Sequence, residues 1–338
     1  MKSKDIIILG IETSCDETSI AVVKNGRLIL SNVVSSQIEI HKRFGGVVPE
    51  VASRNHTLTI NEVFAQAIED AKIEMSDITA VAVTYGAGLA GALLVGVSFA
   101  KALAYSLNKP LVAVNHIKGH IAANYLNEKD LQPPFICLVV SGGHTVLLEI
   151  LNYKKHRLLG TTFDDACGEA FDKVARVLGL DYPGGALVDK YSQKGSAVLE
   201  FPKMLKGEEN FNFSYSGLKT AVINYIHNER QKNAELNIPD ICASFTKAAI
   251  DPLIEKSVLA CKKLGYKKLC VAGGVSANSY LRENIVKKGQ ECGIKVCIPM
   301  LDLCTDNAAM IACEGYYNFI NGVNIADLNL NAVPSLKL

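Results

Sequence analysis

The chain is 338 residues long, 49% hydrophobic and 20% charged, with a formal net charge of +1 at pH 7. That length exceeds what one ordinary core needs, so two lobes are expected, and the apolar share excludes long disorder. A near-neutral chain excludes broad basic gripping of RNA, so any nucleic-acid role rests on a local patch or on partner subunits.

The first apolar run, Ile6 to Gly10, is too short for a secretory signal and leads into polar residues. Ten cysteines with no C-x-x-C pair then read as reduced thiols in a cytoplasmic protein, fitting neither a zinc ribbon nor a redox pair. Ile6–Ile11 is a predicted strand, Glu12-Thr13-Ser14-Cys15-Asp16-Glu17-Thr18 a polar turn, and Ser19–Val23 a second strand. The 23 residues from Ile78 to Ala100 carry no charge and meet the length rule for a membrane helix. Gly86, Gly88, Gly91 and Gly96 interrupt them, so a buried strand at 80–84, a glycine turn and a buried helix from Ala90 to Leu107 explain them better, and no membrane is expected. The match to G-x-G-x-x-G at Gly86–Gly91 is read as packing, because leucine and alanine surround it.

His116-Ile117-Lys118-Gly119-His120 follows. On a helix, residues four apart face one way, so both imidazoles can reach one metal, or both can simply be solvated. The zinc-peptidase pattern needs Glu directly after the first His, and Ile117 stands there, so a metalloendopeptidase lacks its base. The polar stretch from Asn127 to Pro134 reads as a linker.

The opening pattern then recurs. Phe135–Val140, Ser141-Gly142-Gly143-His144 and Thr145–Ile150 repeat strand, turn and strand. Lys268–Ala272, Gly273-Gly274 and a helix from about Asn278 repeat strand, glycines and helix. The interval from hairpin to glycines is about 70 residues in the first half and about 130 in the second, which makes about 160–239 a candidate insertion. The expected fold is therefore α/β, with duplicated RNase H-like lobes resembling the actin/Hsp70/sugar-kinase superfamily and a ligand cleft between lobes. The N-terminal lobe is residues 1–130, completed by a C-terminal helix at about 306–325, and the second lobe is 131–305.

Ser141-Gly142-Gly143 and Gly273 to Asn278 let backbone N–H groups approach an anion, so a nucleotide is the expected ligand, although no Walker A sequence occurs. Asp16 and Glu17 in the first turn, Asp172 on a helix from Glu169 to Leu178, and Asp189 after the Gly184-Gly185 turn are candidate hydroxyl-binding or orienting acids. Asp306, just ahead of the apolar helical run from Ala308 to Tyr317, is either a third metal ligand or a helix cap. Two histidines and a carboxylate suit Fe(II) or Zn(II).

Eight ordered blocks carry a family resemblance over essentially the whole chain: Gly10 to Thr18, Asn115 to His120, Val140 to Thr145, Phe163 to Lys173, Tyr182 to Gly185, Phe213 to Lys219, Gly273 to Asn278, and Cys304 to Asn307. The chain resembles the TsaD family, tRNA N6-adenosine threonylcarbamoyltransferases of bacterial type. The resemblance implies a divalent metal at His116, His120 and Asp306, with Fe(II) favoured and Zn(II) possible. It implies threonylcarbamoyl-adenylate held by Val139, Val140, Ser141, Gly142, Gly143, Asp172, Gly185, Asp189 and Asn278. The implied reaction passes the threonylcarbamoyl group to N6 of the adenosine next to the tRNA anticodon and releases AMP, with Asp16 and Glu17 as candidate catalytic residues. The implied partners are tRNA, a TsaB-like paralogous subunit and a TsaE-like ATPase. Two departures are Lys118, where the family often has Glu, and Ala308, where a glycine is common. Competing readings are the peptidase, an ATP-hydrolysing kinase or chaperone of the same superfamily, and a nucleotide-binding scaffold.

Overall fold

The computed structural model describes residues 5–205 and 210–338; residues 206–209, inside the expected insertion, lie outside them, as do residues 1–4. In chain order the first elements are β1 (Ile7–Glu12), β2 (Glu17–Lys24), β3 (Leu28–Ser36), α1 (Ile38–His41), α2 (Pro49–Ala71), β4 (Ala80–Gly86), α3 (Ala90–Leu107), β5 (Leu111–Asn115) and α4 (His116–Asn127). There follow β6 (Phe135–Val140), β7 (Thr145–Ile150), β8 (His156–Thr161), α5 (Cys167–Leu178), α6 (Gly184–Ser192), α7 (Ser216–Gln231) and α8 (Ile238–Leu264). The last are β9 (Lys268–Ala272), α9 (Ser279–Glu291), β10 (Lys295–Cys297), α10 (Ala308–Ile320) and β11 (Ile325–Ala326).

The chain divides into two compact units, residues 1–132 with 299–338, and residues 133–298. The first unit has the sheet order β11-β5-β4-β1-β2-β3, the second β10-β9-β6-β7-β8. In both, three antiparallel strands come first and the next two add in parallel: β4 pairs β1 as β9 pairs β6, and β5 pairs β4 as β10 pairs β9, with β11 then antiparallel to β5 in the first unit. The duplicated α/β fold expected from the repeat is the fold observed. Helices cover the strands, which explains the near-continuous apolar runs: Ile8, Leu9 and Ile11, Val81 to Val83, and Ile136 to Val140 are fully buried.

In the first unit α10 lies across β1 and β4 at two glycines. A Cβ on Gly10 would stand 2.4 Å from the Ala308 carbonyl oxygen and 2.7 Å from the Ala312 nitrogen, and one on Gly315 would stand 2.4 Å from Ala82 Cβ. The uncharged run from Ile78 to Ala100 is split between β4 and α3, as its glycines suggest. Among the described residues α3 alone is long and apolar enough to cross a membrane. It docks through close contacts: a Cβ on Gly91 would meet Ser53 Oγ, one on Gly96 would meet Thr13 Oγ1, each at 2.4 Å, and Thr13 Oγ1 donates to Ala92 O. These glycines serve packing.

α10 also carries Glu314, buried at 6% exposure. Burial raises its carboxyl to about 8, although Lys118 pulls the other way. An acid whose folded pKa exceeds its unfolded value contributes full stability below about 4.5, and that contribution is lost as pH rises to about 8. Glu314→Gln is therefore expected to flatten the stability profile, with ΔG relative to the parent rising by about 2 kcal/mol or more between pH 5 and pH 8. Urea melts at both pH values check this; parallel profiles would show that Glu314 ionises freely.

Candidate functional site

Asn115 ends β5 and caps α4: its Oδ1 accepts from the Ile117 and Lys118 N–H groups. That cap sets the first helical turn, so His116 and His120 stack one turn apart, with ring centroids 4.7 Å from each other. Asp306 reaches them from just ahead of α10. Its Oδ1 lies 3.5 Å from His116 Nε2 and 3.1 Å from His120 Nε2. Asn307, not Asp306, caps α10, because its side chain accepts from the Met310 N–H. The cap reading of Asp306 thus gives way, and its carboxylate is left to face the imidazoles.

One ligand atom from each of His116, His120 and Asp306 lies within 4.8 Å of the others. Three observations fit this set to a cation. Both ring nitrogens of His120 are buried without a hydrogen bond, the contact to Asp306 lacking the alignment for one. A buried imidazole nitrogen without a hydrogen bond is costly, and a metal at Nε2 would offset that cost on the side facing Asp306. The other ring nitrogen of His116, Nδ1, is taken by Glu12 Oε2 at 3.1 Å and Ser14 Oγ at 3.1 Å, which aims Nε2 at Asp306. A carboxylate behind a histidine is the usual support of a metal ligand. Finally, negative charge is in excess. Burial opposes the His116 imidazolium, yet Asp306 and Glu12 push its pKa up to about 9. Burial, Asp306 and Asp16 push Glu17 up to about 10.

Glu12 is the residue that pattern reading missed. It is fully buried, its Oε1 accepts from the Ser14 N–H and its Oε2 from Thr84 Oγ1. Burial works against its ionised form, but the His116 imidazole prevails and holds it below the usual carboxylate range. The only signal in the sequence was a charged residue directly after an apolar strand. Asp16 is buried at 5% exposure, and Glu17, expected in the turn, begins β2 and accepts from Ser36 Oγ at 3.3 Å.

The other expected residues lie in the second unit. Val139 and Val140 are fully buried in β6, so neither side chain faces an open site. A Cβ on Gly273, where φ is +89°, would sit 2.3 Å from Val140 O, and one on Gly168 would sit 2.8 Å from Gly142 Cα. The loops at 141–143, 168 and 273 therefore meet in one place, while Gly142, Gly143 and Gly274 face open space. The Gly184-Gly185 pair is not a free turn but opens α6, whose N-terminus needs acceptors. Asp172 supplies one, its Oδ1 accepting from the Gly185 N–H at 3.0 Å; burial raises its carboxyl pKa. Asp189, expected to follow a turn, sits on α6 itself. Its Oδ1 accepts from Asn278 Nδ2 and the Ser279 N–H, its Oδ2 from Ser279 Oγ. Asp172 thus ties the N-terminus of α6 to α5, and Asp189 ties the N-terminus of α9 to α6.

A family model described as TsaD, tRNA N6-adenosine threonylcarbamoyltransferase, matches residues 28–313. The chain belongs to the TsaD family. A tRNA N6-adenosine threonylcarbamoyltransferase of Clostridioides difficile (strain 630) is 55% identical over 335 residues, covering 99% of each chain. One of Clostridium perfringens (strain SM101 / Type A) is 54% identical over 333 residues, covering 98% of each. Among solved structures, HypF of T. kodakarensis superposes with a TM-score of 0.64 at 15% identity, over 96% of this chain and 49% of that one, a likeness of fold. The backbone at Ala308 comes close to β1 because Gly10 has no side chain there. Ile117, where a peptidase needs its base, is buried at 3% exposure.

Proposed function

We propose that this chain transfers the threonylcarbamoyl group from threonylcarbamoyl-adenylate to N6 of the adenosine next to the anticodon of tRNA. N6 attacks the carbamoyl carbon, the bond from that carbon to the AMP phosphate oxygen breaks, N6 loses a proton, and AMP leaves. Membership of the TsaD family and the His116, His120 and Asp306 set support this reading. The observation that carries it is His120, whose ring nitrogens are buried without a hydrogen bond and whose Nε2 lies 3.1 Å from Asp306 Oδ1.

His116, His120 and Asp306 would hold one divalent metal; two imidazoles and a carboxylate suit Fe(II), with Zn(II) second. When bound, it would supply Lewis-acid chemistry to the threonylcarbamoyl group. Glu12, against Nδ1 of His116, would aim its Nε2 at the metal. The open backbone at Gly142, Gly143 and Gly274 would take the adenylate phosphate and stabilise charge on the leaving AMP. Asp172, Gly185, Asp189 and Asn278 would position the nucleoside. Asp16 is the candidate for orienting the incoming amine, with Glu17 beside it. A TsaB-like subunit and a TsaE-like ATPase would complete the machinery in the cytoplasm, since a chain of net charge +1 has little of its own to hold tRNA with.

Reconstitution with threonylcarbamoyl-adenylate, unmodified tRNA and these partners, followed by nucleoside mass analysis, tests the reading. Threonylcarbamoyladenosine is the expected product. Its absence with a partner set that is active with the C. difficile relative overturns the proposal.

A further inference from the structure

After β11 the chain turns back across its own unit and ends beside the histidine helix. Lys101 Nζ donates to Leu330 O at 3.0 Å, and the Val333 N–H donates to Tyr85 O at 2.7 Å. The Gly88 N–H donates to Pro334 O at 3.1 Å, and Asn115 Nδ2 donates to Lys337 O at 3.2 Å. Gly86 accommodates this crossing: a Cβ there would stand 2.2 Å from Val333 O and 2.7 Å from Leu336 Cβ. Most of the segment's outer surface is exposed, with Val333 at 38%. It buries little apolar area, and directional polar contacts hold it.

Two of those contacts converge on His116. Asn115 is buried at 4% exposure and uses both ends of its amide: Oδ1 fixes the first turn of α4, and Nδ2 is pinned by Lys337 O. Gly88, pinned by Pro334 O, presses on Ser14, where a Cβ on Gly88 would come within 2.6 Å of Ser14 Cβ. The Leu89 N–H holds Ser14 O at 2.8 Å, and Ser14 Oγ in turn touches His116 Nδ1. The segment thus supports the helix cap on one side of His116 and the Nδ1 contact on the other.

We propose that residues 333–337 form a strap that positions His116 for metal binding, acting through Asn115 and through the loop at Gly88. This rests on reading His116, His120 and Asp306 as a metal centre. Groups that orient a ligand are worth about ten- to a hundredfold in metal affinity. The strap grips at second hand, so the lower end applies.

Asn115→Ser in the full chain is the deciding variant. Serine keeps a capping oxygen but has no amide to give Lys337 O. Zinc(II) affinity is measured by competition with a chromogenic chelator, beside a chain truncated after Ala332 and a His116→Ala control. Both strap variants are expected to bind zinc about tenfold more weakly with little change in Tm, and Asn115→Ser is expected to add nothing in the truncated chain. If Asn115→Ser binds within twofold of the parent while His116→Ala abolishes binding, the strap is wrong and the metal centre stands. If His116→Ala also leaves affinity unchanged, the metal centre falls and the strap with it. A truncated chain that does not fold leaves the point variant to decide.

Discussion

Alanine at His116, His120 or Asp306 is expected to lower threonylcarbamoyl transfer by on the order of 10²-fold or more, with the fold retained. The magnitude follows from the proposed metal centre, where each side chain would be one of three ligands to a Lewis acid worth several kcal/mol to the transition state. The three positions differ in what else they disturb. Asp306→Ala leaves the α10 cap untouched, because Asn307 makes that contact. It also removes the carboxylate that raises the pKa of Glu17. His120→Ala removes a ring with no hydrogen bonds to lose. His116→Ala strips buried Glu12 of its imidazole but leaves it the Ser14 N–H and Thr84 Oγ1. Asp306→Ala and His120→Ala are therefore the cleaner variants, and His116→Ala is expected to lose more stability. Single-turnover transfer with preformed adenylate, read beside bound metal by elemental analysis, checks the claim. Transfer within threefold of the parent in a metal-free Asp306→Ala chain would remove the metal from the reaction.

The sequence made the doubled pattern visible because β1, β4, β6 and β9 are central strands, apolar throughout and followed by polar or glycine turns. It hid β3 and β8 because both lie at sheet edges. In β3, Ser31, Asn32, Ser35 and Ser36 interrupt the apolar pattern, and much of β8 is exposed. Edge strands face water along one side, so their composition resembles that of loops. Local spacing put the two histidines on one helix face but left open whether they were merely solvated. Asp306 was not decidable that way, since carboxylate and amide stood side by side before α10 and either could cap it. The roles of Asp172 and Asp189 were harder still. Each serves the N-terminus of another helix, 13 and 90 residues away in sequence respectively. No local period reports such a contact.

The same logic makes Gly10 the most exacting position in the first unit. Gly10→Val is expected to destabilise the chain by about 3 kcal/mol or more, at or beyond the usual range for overpacking. Locally the change is favourable, because valine suits an interior strand better than glycine. The cost is tertiary. A Cβ at 10 would meet the Ala308 oxygen at 2.4 Å and the Ala312 nitrogen at 2.7 Å, and both are backbone atoms that no rotamer change can move. α10 would have to lift from β1, and Gly315 would lift from Ala82 with it. Asp306 stands two residues before that helix, so its carboxylate would shift against His116 and His120, which ride on α4. A loss of zinc affinity should accompany the fall in Tm. Ile11→Val in the same strand is the control: it removes one buried methylene, costs about 1 kcal/mol and leaves metal binding alone. A Gly10→Val chain with the parent's Tm and zinc affinity would mean that α10 does not rest on this glycine, and that the position of Asp306 is set elsewhere.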